Sequence, residues 1–329
     1  MENLPIEASV FDANEVSTRA QEAIERARHE KKQFNFGLPE LDEFFVMNRP
    51  RKIIGVPADT SHGKTSFLTF TARNFANQID ADSGEIGIYA TWEDTIEDFG
   101  LADIASMSRI PMASLYSGDV SEQEWGAMLN AAAQRAGTPL WLIGQSDQDN
   151  ARRHRLTITD LWAALDYITT VQQRKVRFLM IDYLQRISRT DMQREQSGAR
   201  LQFTEIMDQI KDMTLFYGCT TYVGSQVGRK IDERKWRQPQ KHDAMETSNF
   251  EHTCDGMISL WMPAKSRDAW KIGDTIQEKT GINSKAIFVT ERLMLMETLK
   301  QKKAKAPVLK AFDFMYEYNE FVPYGESHA

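Results

Sequence analysis

The chain has 329 residues, 41% hydrophobic and 26% charged, with 18 Gly, 10 Pro and 2 Cys. These values exclude a long disordered chain, a collagen-like repeat and a disulfide scaffold, and the length allows a sizeable core in one large domain or two modest ones. With 40 basic and 47 acidic residues the net charge is −7, which argues against a uniformly basic surface but permits the local basic patch that a nucleic-acid groove needs.

Cys219 and Cys254 stand far apart and in no metal-ligand spacing. A reducing cytoplasm is therefore the expected location, and a structural zinc site is not expected. The N-terminus Met1-Glu-Asn-Leu-Pro5 has no basic or apolar leader pattern. No apolar run approaches the ~18 residues that span a bilayer, so a soluble protein away from membranes is expected.

Residues 1–13 read as an extended arm carrying Leu4, Ile6, Val10 and Phe11. From Asn14 to Lys32, Val16, Ala20, Ala23, Ile24 and Ala27 recur at helical spacing, and Thr18 with Gln21 forms a capping box if the helix starts late. So narrow a stripe needs a groove, on the chain's own body or on a neighbouring subunit, and the pattern leaves both open. After Gln33, strands are predicted at Lys52–Val56, Ile86–Ala90, Leu140–Ile143, Phe178–Ile181, Thr220–Gly224, Gly256–Leu260, Ile287–Thr290 and Val308–Phe312. Helices are predicted at Lys64–Gln78, Thr95–Ser106, Ser121–Arg135, Thr159–Gln173 and Ala199–Tyr217. The alternation implies βαβ units and an α/β fold with a mostly parallel sheet flanked by helices. Trp125, Trp141, Trp162 and Trp261 fall inside these elements, where burial is the default.

The most informative segment runs from Ile53 to Phe67, where a strand leads into Ala58-Asp59-Thr60-Ser61-His62-Gly63-Lys64-Thr65 and then into a helix. Loop N–H groups and the helix N-terminus make an anion cradle, Lys64 reaches the β/γ-phosphates, and the Thr65 hydroxyl suits Mg²⁺. The usual motif opens with Gly; here Ala58 stands there. His62 is expected to shape the loop and not to catalyse. Phe178-Leu-Met-Ile-Asp182 is an apolar strand ending in an acid, where Asp182 would hold Mg²⁺ through a water. A third strand ends at Trp92-Glu93, and Glu93 would polarise the attacking water. Asp94 and Glu97 follow it, so an acidic helix N-terminus is the plainer reading of the same residues.

Ile181-Asp-Tyr-Leu-Gln185 resembles the second nucleotide motif of DnaB-type replicative helicases, and Ala58 also matches that family. The resemblance extends through Phe36–Asp42, Trp92-Glu93, Gly118–Trp125, Gly224-Ser-Gln-Val227, His242–Asp255, Lys300-Gln-Lys302 and Ala311–Phe321, covering about residues 34–322. It implies a RecA-like P-loop NTPase core (residues 34–324), preceded by an N-terminal arm and linker helix (1–33) that docks on a neighbouring subunit, and followed by a tail (325–329). It further implies ATP and Mg²⁺ at the interfaces of a homo-oligomeric ring, commonly a hexamer, moving 5′ to 3′ on single-stranded DNA. By carry-over, Lys64 and Thr65 bind phosphate and Mg²⁺, Glu93 is the catalytic carboxylate, Asp182 the Mg²⁺-side acid and Gln226 the γ-phosphate sensor.

Two departures stand out. The family's closing motif is Lys-Gln-Arg, whose arginine reaches across the interface; here Lys300 is followed by Gln301 and Lys302, and lysine gives a point charge without a bidentate fork. The loop facing DNA usually reads Asp-Leu-Arg-Glu-Ser-Gly, whereas Asp243-Ala-Met-Glu-Thr-Ser248 lacks the arginine and glycine, leaving Glu246 and Ser248 as candidates. Arg229, Lys230, Arg234, Lys235 and Arg237, with Trp236 among them, offer the cations and stacking ring of a single-strand channel; Arg189 and Arg194 are weaker candidates. Other classes compatible with the core are a RecA- or clock-type ATPase and an ATP-switched DNA-binding or loading factor that does not unwind. A separate primase or loader is a further expected partner.

Overall fold

A computed structural model describes residues 10–29, 34–147, 156–188, 199–228, 231, 233–234, 237–244, 248–266, 269–276, 287–302 and 304–325. The chain divides into two compact units, Met1–Gln33 and Phe34–Ala329.

In the first unit, helix α1 (Ala13–His29) starts early. Asp12 Oδ1 accepts from the Glu15 N–H at 2.7 Å, so Asp12 caps the helix. The Thr18–Gln21 capping box does not form; the Thr18 hydroxyl instead donates back to the Asn14 carbonyl at 3.0 Å. Val16 and Ile24 are 54% and 62% exposed.

The second unit runs α2 (Pro39–Phe44), β1 (Ile53–Ala58), α3 (Lys64–Ala76), β2 (Glu85–Thr91), α4 (Ile96–Ser108), α5 (Met112–Ser117), α6 (Glu122–Ala136) and β3 (Leu140–Ile143). It continues through α7 (Ile158–Asp166), β4 (Lys175–Asp182), α8 (Ala199–Tyr217), β5 (Thr220–Gln226), α9 (Ser248–Thr253) and β6 (Gly256–Trp261). Then come β7 (Thr275–Ile276), β8 (Ile287–Phe288), β9 (Leu293–Gln301), β10 (Leu309–Met315) and β11 (Glu320–Pro323). Thr95, Ser121 and Thr157 cap α4, α6 and α7 with full capping boxes, which fixes where each helix begins.

Nine strands form one sheet in the order β11-β10-β9-β6-β1-β5-β4-β2-β3. The six strands from β6 to β3 are parallel, while β9, β10 and β11 extend the sheet antiparallel. This is the mostly parallel, helix-flanked sheet of a RecA-like ATPase. Alternate residues enter separate cores, as the period of a strand demands. Phe178, Met180 and Tyr222 join one with Phe36, Phe67 and Phe75, and Leu179, Ile181 and Val223 join another with Leu161, Ile206 and Met207.

The structure departs from sequence expectation at three places. Ile287–Thr290 contributes only β8, which pairs with β7 in a separate two-stranded sheet. The predicted helix over Thr159–Gln173 is α-helical only to Asp166, and Tyr167–Val171 continues as a π-turn. Trp125 is 50% exposed on α6, not buried, because only Ala131 of that helix is buried.

Candidate nucleotide-binding site

The register of the parallel strands brings four chain segments to one edge. Ala58 lies opposite Gln226, and Thr91 opposite Asp182, so the loop after β1, the Trp92-Glu93 turn after β2, and the ends of β4 and β5 converge at the C-terminal edge of the sheet. Ligands of parallel sheets bind at that edge. Asp59, Thr60, Ser61, Gly63, Lys64 and Thr65 line a cleft of about 290 Å³ there, facing Glu93, Tyr183 and Gln226.

Gly63 takes φ 77°, the left-handed conformation that turns the loop into α3. Lys64 then runs past Gly224 on β5. A Cβ at Gly224 would stand 3.1 Å from Lys64 Cδ and 3.2 Å from Tyr183 Cβ, so the absent side chain makes room for the lysine stem. The Lys64 ammonium rests 3.4 Å from the centroid of the Tyr183 ring. Burial lowers its pKa, against the pull of Asp182, Glu93 and Asp94.

Asp182 is fully buried. Its Oδ2 accepts from the Tyr89 hydroxyl at 2.8 Å, while Oδ1 is buried with no donor in hydrogen-bonding geometry. Burial raises its pKa, opposed by Lys64 and by the Thr65 hydroxyl beside it. Asp94 is pushed up to about 6 by burial and by Asp182 and Glu93. A buried carboxylate oxygen without a donor, next to a threonine hydroxyl and further carboxylates, fits a hard divalent cation. Among the described residues no group of three or more His, Cys, Asp or Glu side chains forms a metal site by itself, which suits a cation completed by substrate phosphates.

Glu93 lies at the cleft and receives Arg186 Nη2 at 3.4 Å. Gln226 Nε2 donates to the Thr60 hydroxyl at 2.5 Å, and its backbone N–H donates to Gln185 Oε1 at 3.1 Å. The last residue of β5 thus touches both the phosphate loop and the segment after Asp182. His62 is 4% exposed, and its Nδ1 accepts from the Met262 N–H at 3.1 Å.

The other expected residues lie elsewhere. Gly256 at the start of β6 pairs with Gln301, and Met257 with Lys300, so Lys300 and Lys302 sit at the sheet edge opposite the phosphate loop. Lys300 Nζ donates to the Glu251 carbonyl at 2.5 Å, and Lys302 Nζ to Asp255 Oδ1 at 2.9 Å. Arg234 is not free for a backbone phosphate as drawn from sequence: it grips Asp243 with both guanidinium nitrogens, Nη2 to Oδ1 at 2.6 Å, and braces its own loop. Arg237 takes φ 49°. Arg229, Lys230, Lys235, Trp236 and Glu246, together with Arg189 and Arg194, lie outside the described residues, and Ser248 opens α9.

Sequence reading overlooked Tyr89 and Lys265. Tyr89 faces the core of a strand whose pattern gave no polar signal, and Lys265 belongs to no motif; only the register placing Leu260 of β6 opposite Ala58 reveals its position. Cys219 and Cys254 are buried free thiols pushed up to about 11 and about 12 by burial, which leaves them inert. No helix among the described residues is long and apolar enough to cross a membrane.

Residues 34–302 match the DnaB-like helicase C terminal domain. The chain belongs to that family. The DnaB-like assignment agrees with two relatives, the replicative DNA helicase DnaC of Bacillus subtilis and the replicative DNA helicase DnaB of Geobacillus stearothermophilus. Each is 22% identical over 287 residues, covering 87% of this chain and 55% of the relative. The chain thus spans about half the length of the curated relatives it matches. Among solved structures, a free-standing ATPase domain superposes with a TM-score of 0.73 at 17% identity, covering 95% of this chain and 99% of that one. A DnaB-like replicative helicase, described with its interactions with primase, gives the same score and identity over 95% of this chain and 67% of its own. Both likenesses are to the RecA-like fold seen in the second unit.

Proposed function

We propose that this chain is the ATPase motor of a ring-forming replicative DNA helicase. It hydrolyses ATP between subunits, translocates 5′ to 3′ on single-stranded DNA and unwinds duplex. The observation that carries this reading is the convergence of Lys64, Thr65, Glu93, Asp182 and Gln226 on one sheet edge, in a chain whose family is DnaB-like.

In this reading the loop N–H groups and Lys64 bind the β/γ-phosphates. Thr65 and Asp182 hold Mg²⁺, which when bound neutralises charge on the bridging phosphate oxygens. Glu93 orients the attacking water and takes its proton as the γ-phosphoryl bond breaks to give ADP and phosphate. Gln226 reads the terminal phosphate and passes its state along the backbone to the segment beyond β5. There Arg229, Lys230, Lys235, Arg237, Glu246 and Ser248 contact DNA, and Arg234 holds the loop in shape through Asp243. Lys300 and Lys302, on the opposite edge, act on the nucleotide of the adjacent subunit, and residues 1–33 dock on that neighbour. A hexamer, a cytoplasmic location and a separate primase or loader complete the proposal.

A second reading has one observation in its favour. Lys300 and Lys302 are both engaged within their own chain, which suits an ATP-switched loading factor with slow turnover. Strand displacement on forked DNA with ATP, comparing free 5′ and 3′ tails, separates the two. Unwinding that needs the 5′ tail supports the motor; robust hydrolysis without displacement on either fork supports the switch.

A further inference from the structure

Lys265 ends the short 3₁₀ turn Pro263–Lys265 that follows β6. Because β6 runs parallel to β1 with Leu260 opposite Ala58, the turn emerges at the same edge as the phosphate loop. Two hydrogen bonds tie turn to loop: the Met262 N–H donates to His62 Nδ1 at 3.1 Å, and Lys265 Nζ donates to the Ser61 carbonyl. The turn is itself well fixed. Its Lys265 N–H returns to the Met262 carbonyl at 3.0 Å and its Ser266 N–H to the Pro263 carbonyl at 2.8 Å. Trp261 beneath it is buried against Trp270, with ring centroids 5.7 Å apart.

Lys265 lines the same cleft as Lys64, Thr65, Glu93 and Gln226. The two lysines differ in their surroundings. Lys64 has Asp182, Glu93 and Asp94 near enough to hold its charge. For Lys265, no carboxylate among the described residues lies within ion-pair distance; its recorded acceptor is a neutral carbonyl. Partial burial lowers its pKa with no acidic neighbour to offset the loss of water. An ammonium short of counter-charge at the mouth of a phosphate-lined cleft gains most from an incoming anion. The carbonyl it now holds belongs to the loop that would wrap that anion.

We propose that Lys265 is a second phosphate ligand of this nucleotide site, supplied by the same subunit: it leaves the Ser61 carbonyl and takes a phosphate oxygen of the bound nucleoside di- or triphosphate. The inference rests on the reading of this cleft as a nucleotide site. It makes the turn after β6 a part of the binding machinery that the loop motif does not announce, and it couples nucleotide occupancy to the His62–Met262 strap.

Three variants of the full chain test it by calorimetric titration with Mg²⁺ and either ATP or ADP, after circular dichroism has shown each to be folded. Lys265→Met removes both charge and donor. Lys265→Gln keeps a neutral donor for the Ser61 carbonyl, and Lys265→Arg keeps the charge. A lost charge-assisted bond weakens binding roughly 10- to 100-fold, so Lys265→Met and Lys265→Gln should both bind in that weakened range while Lys265→Arg stays close to the parent protein. Near-parental affinity of Lys265→Gln would reduce Lys265 to a brace of the loop, and near-parental affinity of Lys265→Met would remove it from the site altogether; either overturns the proposal. A parent protein that binds neither nucleotide overturns the underlying reading instead.

Discussion

Lys302 and Asp255 are paired at 2.9 Å on the edge of the sheet that faces away from Lys64. β1, six residues long, separates the two edges by about 20 Å at the rise of a strand. Lys52 approaches the same Asp255 oxygen at 3.8 Å, so one carboxylate collects two ammonium groups there. A side chain so placed cannot serve the phosphate loop of its own subunit. Any part it plays in hydrolysis is therefore played in a neighbour.

This separation makes a mixing experiment decisive. Lys64→Ala and Lys302→Ala should each abolish steady-state ATP hydrolysis in the assembled protein. Mixed in equal amounts, they should recover activity, because random assembly gives about a quarter of interfaces an intact Lys64 and an intact facing Lys302. Phosphate release measured across the mixing ratio checks this. No recovery at any ratio, with both variants still assembling, would assign Lys302 a purely structural role in holding Asp255.

Glu93 carries the second prediction. It sits at the cleft, and its recorded hydrogen bond is the contact with Arg186 at 3.4 Å, so its removal should leave the loop intact. Glu93→Gln should bind Mg²⁺-ATP as the parent does and lose turnover by roughly 10²- to 10⁴-fold, the usual worth of a positioned general base. Equilibrium binding and single-turnover hydrolysis on the same preparation make the comparison. Loss of binding together with turnover would show that Glu93 is part of the cradle.

How much of this is legible in the sequence differs by element. The parallel half is readable because β1, β2, β4 and β5 are short apolar runs ending at polar residues, three of them leading into helices. The antiparallel extension is not. β9 reads Leu-Met-Leu-Met-Glu-Thr-Leu-Lys-Gln, a composition of good helix formers. It is a strand only because β6 and β10 flank it and bury most of it, a tertiary decision that local propensity cannot anticipate. At the site, Lys64, Thr65 and Asp182 announce themselves through motif spacing. Lys265 and Tyr89 do not, since their roles arise from strand register alone. Arg234 shows the converse: a cation in a basic run whose charge is spent on Asp243, nine residues further along.

Arg73 of α3 is 5% exposed and reaches three elements: Asp103 of α4 at 3.3 Å, and Glu320 and the Asn319 carbonyl at β11 at 2.5 and 3.5 Å. Arg135 of α6 adds a second cation to Asp103 at 2.8 Å. Burial alone raises the Asp103 pKa, and both arginines oppose it. Breaking such a cluster from one side leaves buried charges unmatched, so Asp103→Ala should cost about 3–5 kcal/mol. Urea unfolding checks this. Since the cluster ties the helix behind the phosphate loop to the last strand, nucleotide affinity should fall with it. A loss below about 1 kcal/mol would place the network among exposed pairs, which contribute little.

His62 gives the phosphate loop a pH dependence of definite sign. Its pKa is lowered to about 4 by burial, against an ordinary 6.5 in the unfolded chain. Between these values the unfolded chain binds more protons than the folded one, so stability is full above pH 6.5 and drains away as the pH falls towards 4. The whole effect is worth roughly 3 kcal/mol at most, from about 1.36 kcal/mol per unit. Protonation also removes the lone pair on Nδ1 that accepts from the Met262 N–H. Asp94 works the other way over much of the same window: pushed up to about 6, its carboxyl is easier to keep protonated in the fold, and it loses stability as the pH rises. The two are separated by a variant that does not titrate. His62→Asn keeps an acceptor for Met262 and leaves Asp94 untouched, so its stability measured by denaturant melts between pH 4 and pH 7.5 should lack the acid-side loss. The parent and variant curves should coincide in slope above pH 6.5 and diverge below it; parallel curves throughout would mean that His62 charges as readily in the fold as in water.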